Sequence, residues 1–281
     1  MINIEKFIRI RKKLGLSQNS LCDGICTQST LSKFENNGRI PSMKILNSLC
    51  ARMDINLSDI MLTSQNNDVA TKLFEAEFAT IQYDFPKVAR ILSKISPNQL
   101  LRQKDVYHYY YLRGLIALEL DHDETDALYY FNSILNSEKI KTNSIYYLLA
   151  LKGCSQVYEL QNDSEKADHY YQNLIKRIKD VEVNDRTVTL QLLSILCQSG
   201  EFYGREQKYD LSDDLLKYGY QICSDKHVIY FIARILFRLA LNNKAQNKDP
   251  QLTAQYLQDT AAFARLNKNR VLLDKIQQFE N

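Results

Sequence analysis

Apolar residues recur along this chain at the three- and four-residue steps of amphipathic helices. Ile4, Phe7, Ile8 and Ile10, followed by Leu14, make one stripe, and Gly15 ends it at a position suited to the left-handed conformation. Ser17 opens a second, short helix whose Leu21 turns inward and which Gly24 stops. Thr27 opens a third, with Leu31 and Phe34 at i and i+3 and an end at Asn37-Gly38. Pro41-Ser42 starts a fourth, and LSDIML makes a short fifth. Helix, Gly turn, helix is the pattern of a helix-turn-helix unit.

Past the polar stretch TSQNND, residues 63–68, the pattern changes scale. Ala127–Leu135 lies over Ala167–Ile175 at an offset of 40, with the alanine, an aromatic pair and an aliphatic pair in register. Ser212, Leu215, Leu216, Gly219 and Tyr220 continue the series, and Ala254, Leu257, Ala261 and Ala262 follow. A long apolar helix precedes each: Tyr109–Leu120, Ile145–Leu160, Val188–Tyr203 and Ile229–Leu241. A degenerate first pair spans Val69–Ile95, broken before Phe85-Pro86. Repeating helical hairpins of about 40–45 residues indicate an α-solenoid, with an irregular helical bundle as the alternative. Gly114, Gly153 and Gly200 in the first helices, with Ala127 and Ala167 in the second, look like tetratricopeptide packing positions. The repeats exceed the usual 34 residues and are therefore TPR-like. The run RVLLDKIQQFE, apolar at Val271, Leu272, Ile276 and Phe279, serves as a terminal cap.

Composition narrows this further. Among 281 residues there are only 8 Gly and 4 Pro, too few for the turns of a β-sandwich or barrel, so the expected class is all-α. No run approaches the roughly 18 apolar residues of a membrane span, and MINIEKFIRIRKK lacks the apolar core of a secretory signal. Together with six scattered Cys, that points to a reducing, cytoplasmic location. The net charge of +3 hides a division. Residues 1–62 hold nine Lys/Arg against five Asp/Glu, leaving 27 against 28 for the rest, and all 18 Tyr lie at or beyond Tyr83. Such different surfaces suggest different tasks: a DNA-binding domain over 1–62, a linker over 63–68 and a helical repeat domain over 69–281.

The run Gly15-Leu16-Ser17-Gln18, then Leu21, Ser29–Leu31, Glu35-Asn36 and Pro41, resembles the phage-repressor (XRE-type) helix-turn-helix family. Cys26 departs from the small or polar residue usual there, and Gly24-Ile25-Cys26 is a looser turn. By register within that fold, Gln28, Ser29 and Lys33 face outward on the third helix while Leu31 and Phe34 face inward. Gln reads adenine bidentately, and Lys reaches guanine or a phosphate. Gln18, at the start of the second helix, is placed to donate to a phosphate. Arg9, Arg11, Lys12, Lys13, Arg39 and Lys44 supply the salt-dependent backbone attraction.

No catalytic constellation is readable. Cys22 and Cys26 lack a second Cys pair or a nearby His, so no metal site is expected, and His108, His122, His169 and His227 are scattered. With no Gly-rich phosphate loop, neither a cofactor nor an enzyme is implied. A right-handed stack of hairpins presents a concave groove lined by the first helix of each pair. Tyr111, Arg113, Lys152, Gln156, Gln198, Arg234, Arg238 and Asn242 stand there as candidates to hold the backbone and carboxylate of an extended peptide.

The combination of an XRE-type helix-turn-helix with TPR-like repeats in about 280 residues resembles the Rgg/PlcR-like peptide-pheromone-responsive regulators of Gram-positive bacteria. The resemblance implies a cytoplasmic homodimer on double-stranded DNA, controlled by a short signalling peptide in the concave surface. The alternative is a dimeric repressor without an effector, whose repeats serve only dimerisation or protein contact. Peptide, operator, direction of regulation and dimerising repeats are not legible.

Overall fold

The computed structural model describes residues 2–60, 64–181, 183 and 185–280, and the elements among them are helices joined by turns. The chain divides into two compact units, one formed by Met1–Lys72 with Ile95–Leu101 and one by Leu73–Lys94 with Arg102–Asn281.

The first unit contains α1 (Ile4–Lys13), α2 (Gln18–Cys22), α3 (Gln28–Asn37), α4 (Met43–Arg52) and α5 (Leu57–Ile60). The caps lie where the sequence puts them: Ser17, Thr27 and Ser42 accept from the backbone N–H of Ser20, Thr30 and Ile45. Gly15, Gly24 and Gly38 adopt φ of +70°, +66° and +70°, which residues with a Cβ enter at a cost. Phe7, Leu21, Leu31, Phe34, Leu46 and Leu49 have no solvent exposure and form the core, with the rings of Phe7 and Phe34 edge to face at 5.1 Å. The expected end of the fifth helix, Met61-Leu62, and Thr63 of the linker lie outside the described residues. The rest of that linker is not a loop: α6 begins at Ser64 and runs to Ile81.

The second unit stacks hairpins. Four of them pair α8 (Gln103–Glu119) with α9 (Glu124–Leu135), α10 (Ile145–Leu160) with α11 (Ser164–Ile175), α12 (Arg186–Arg205) with α13 (Tyr209–Asp225), and α14 (Ile232–Ala245) with α15 (Pro250–Leu266). The first helices pack in succession, α8 on α10, α10 on α12 and α12 on α14, and α16 (Arg270–Glu280) closes against α14 and α15. The turn chemistry repeats with the hairpins. Tyr83, His122, Asn162, Gln207 and Asn247 take left-handed φ, and Asp84, Asp123, Asp163 and Asp249 then accept an N–H in the next helix's first turn. Phe131 shows how glycine sets the spacing. A Cβ on Gly114 or Gly153 would come within 2.4 or 2.5 Å of its ring, so the ring seats between two first helices only because both positions lack a side chain.

The first pair departs from the pattern expected over Val69–Ile95. α7 (Phe85–Leu92) packs on α8, but α6 sends side chains to α8, to α12 and to the segment before α14. Glu77 reaches His108 of α8 and Gln191 of α12, and Phe78 packs edge to face on Tyr230 at 5.0 Å.

Candidate DNA interface and peptide groove

In the first unit a chain of polar contacts runs from the core to the surface. Arg11 and Glu35 form a buried, bidentate ion pair with bonds of 2.7 and 2.8 Å, and Arg11 also donates to the Leu16 carbonyl at 2.7 Å. Glu35 accepts a further bond from Gln18 Nε2 at 2.7 Å, and Gln18 Oε1 accepts from Gln28 Nε2 at 2.8 Å. The Gln18 amide thus ties the start of α2 to α3 and fixes Gln28, with one N–H left for an outside acceptor. Gln28, Ser29, Lys33, Arg39 and Lys44 are exposed, as are Arg9, Lys12 and Lys13. Arg11 corrects the expectation that it joins the surface cations. It is 7% exposed and fully engaged, because its position on α1 faces α3 rather than solvent.

In the second unit a cavity of about 270 Å³ opens among α6, α8, α10, α12 and α14. Of the eight groove candidates it gathers Tyr111, Lys152, Gln156, Gln198 and Arg234. The repeat explains the gathering. Tyr111, Lys152, Ser194 and Arg234 are equivalent positions, 41, 42 and 40 residues apart, and Leu115, Gln156 and Gln198 form the next rung, 41 and 42 apart. A third rung, Leu118, Glu159 and Glu201, also lines it; following the same spacing one turn on would have found these acids. Thr80, Ile81, Tyr83 and Phe85 complete one side from α6 and α7, which no repeat signal marked.

Three candidates lie elsewhere. Arg113 follows Tyr111 by two residues, about 200° around α8, and stacks over Tyr130 of α9 at 5.5 Å. Asn242 is wholly buried and binds Ser212 and Asp213, both at 2.8 Å, so it joins α14 to α13. Arg238 donates to Asn242 Oδ1 at 3.0 Å and lies where a Cβ on Gly204 would stand 2.2 Å from its Nε. These two serve packing.

Charges in the cavity are mostly spoken for. Arg234 grips Glu201 with two bonds of 2.9 and 2.7 Å and lies 5.6 Å from the Tyr83 ring. Glu159 accepts from Tyr171 Oη at 2.5 Å, from Gln198 at 3.5 Å and from Arg205. Lys152 donates to Ser194 Oγ at 2.8 Å and stands 5.4 Å from the Tyr111 ring. Burial pushes its pKa down to about 8, partly opposed by the Glu77 carboxylate. Burial likewise raises the Glu119 carboxyl above its ordinary value. Beneath the floor, Glu77 accepts from His108 at 2.7 Å and Gln191 at 3.1 Å. Its burial alone would raise its pKa, but those bonds, the charge at His108 and that at Lys152 hold it below the usual value. Among the described residues no three His, Cys, Asp or Glu side chains gather as a metal site needs, and no helix is long and apolar enough to cross a membrane.

Residues 8–60 match the helix-turn-helix family, so the first unit is a helix-turn-helix domain. Over nearly its whole length the chain has the fold seen in PlcR and ComR. It is similar to Bacillus thuringiensis PlcR in complex with the peptide PapR7 and DNA, at 14% identity over 98% of this chain and 99% of that one, with a TM-score of 0.64. It is similar to apo ComR from Streptococcus vestibularis, at 12% identity over 99% and 96% of the two chains, TM-score 0.59. A third likeness is ComR from S. thermophilus bound to DNA and its signalling peptide ComS, at 12% identity over 97% and 96%, TM-score 0.52. No curated protein matches the sequence.

Proposed function

We propose that the protein is a sequence-specific transcriptional regulator, non-enzymatic and cytoplasmic, that acts as a homodimer and is controlled by a short peptide bound in the cavity of its second unit. The observation that carries this is a pair of sites in one chain. One is an exposed α3 face with Gln28 held in place through Gln18 and Glu35; the other is a cavity lined by equivalent positions of four successive hairpins. Gln28 and Lys33 then read base edges, Ser29, Arg39 and Lys44 bind phosphates, and Gln18 supports Gln28 while offering its second N–H to the backbone. In the cavity, Gln156 and Gln198 have the donors and acceptors that an extended peptide backbone needs, and Tyr111 and Leu115 give apolar contact. The PlcR and ComR complexes, with peptide and DNA on the same fold, support this assignment. The domain division follows function: DNA binding over 1–62 and peptide binding with dimerisation over 69–281, joined through 63–68.

Native mass spectrometry of the full chain, alone and after incubation with the peptide fraction of spent host culture, tests it. The expected result is a dimer that gains one discrete mass of a 5–10-residue peptide per chain. A dimer that takes up nothing leaves the regulator without an effector and removes the peptide from the proposal.

A further inference from the structure

The cations of the cavity are not equivalent. Arg234 is committed to Glu201 in a forked pair. Lys152 is different: it is 5% exposed, its one hydrogen bond goes to the neutral Ser194 hydroxyl, and among the described residues no carboxylate stands within ion-pair distance. An ammonium carries three N–H donors, and a buried charge without a counter-ion is costly to a fold. Glu77 lies below it but is already held by His108 and Gln191. Next to Lys152 on the cavity wall, Gln156 Oε1 is buried and accepts no hydrogen bond. One cation without an ion-pair partner and one carbonyl without a donor therefore lie on the same cavity wall.

We infer that Lys152 is the anion anchor of the groove: its Nζ, with the Ser194 hydroxyl, takes a carboxylate of the bound peptide, while Gln156 accepts a peptide N–H beside it. This rests on the peptide reading above and narrows it to peptides that place an acid on the groove floor. The charged and titratable groups facing Lys152 are Glu77 from α6, Tyr111 and Glu119 from α8, Cys197 from α12 and Arg234 from α14. With these around it Lys152 is protonated at neutral pH and loses its proton as pH rises past about 8. A carboxylate binds the protonated form, so affinity declines on the alkaline side. The carboxylate has two sources, the peptide's C-terminus or an Asp or Glu side chain.

Affinity selection with mass-spectrometric readout separates them, using the full chain and two pools of the same octapeptides, one ending in a carboxylate and one in a carboxamide. Retention should favour the acid pool at least tenfold, lose that preference in Lys152→Met, and fall about tenfold between pH 7 and pH 9 in the unsubstituted protein. Equal recovery from both pools still supports the anchor if every retained peptide carries an Asp or Glu whose replacement by Asn or Gln lowers retention by the unsubstituted protein but not by Lys152→Met. Equal recovery of peptides without an acid overturns it, as does a Lys152→Met variant that keeps the preference. Failure to retain any peptide from either pool defeats the groove reading itself, and this inference with it.

Discussion

Glu35 shows how one side chain can serve stability and recognition together. It neutralises Arg11 in the core and carries Gln18, which carries Gln28. Glu35→Gln keeps the shape but leaves the Arg11 charge buried without an anion, a change that costs about 3–5 kcal/mol. Denaturant unfolding of the first unit should register that loss, and DNA affinity should fall with it. Gln28→Ala should leave unfolding untouched and relax base preference at one position by about 1–3 kcal/mol, as read by selection from a randomised duplex pool. Unchanged selectivity would remove Gln28 from the base-reading set. Lys152 poses the opposite case, a residue that weakens the fold. Its pKa drops from 10.5 in a free chain to about 8. Between those values the unfolded chain binds a proton that the folded chain does not, so stability rises with pH across that window and is lowest below it. Lys152→Met removes the penalty. At pH 7 the variant should be more stable by up to about 3 kcal/mol, and the gap should narrow as pH climbs from 8 to 10.5. A variant less stable than wild type at pH 7 would mean that the bond to Ser194 outweighs desolvation.

At the scale of helices, legibility followed locality. The caps at Ser17, Thr27 and Ser42 and the turns at Gly15, Gly24 and Gly38 are decided within four residues, so the sequence exposes them directly. The hairpins were legible because they repeat, and the same repeat brought Lys152, Gln156 and Gln198 to one wall. Periodicity says less about which way a polar residue turns: Arg113 and Asn242 share helices with the cavity-lining Tyr111 and Arg234 yet face neighbouring helices. It is also silent on α6, where Glu77 and Phe78 choose partners more than thirty residues away. The glycines offer the sharpest test at this level. Gly153→Ala puts a methyl into the Phe131 ring, and overpacking of this kind costs about 1–3 kcal/mol. Phe131→Leu in the same chain frees space, so the double variant should recover part of what Gly153→Ala loses. Strict additivity of the two losses in thermal unfolding would show that the ring and the glycine do not interact.

For the whole molecule, the proposed dimer fixes what its DNA must look like. Two helix-turn-helix domains related by a two-fold axis require two half-sites in inverted order on one side of the duplex, with centres about 34 Å or a multiple apart. Each protomer brings the exposed cations Arg9, Lys12, Lys13, Lys33, Arg39 and Lys44 to that surface, whereas Arg11 contributes to the fold and not to the salt dependence. An operator obtained by selection should therefore be an inverted repeat. Inserting about five base pairs between its halves turns one half-site to the far side of the helix, and binding should drop to that of a single half-site. Inserting about ten restores the facing and should recover part of the affinity, less whatever it costs the dimer to span an extra turn. Fluorescence anisotropy at one fixed salt concentration compares the three duplexes, since the phosphate contribution shifts steeply with ionic strength. Equal affinity for all three would mean that the two domains reach DNA independently. A peptide in the groove could then not act by changing how they are paired, and its control would have to operate on each protomer alone, through its differential affinity for that protomer's own conformations.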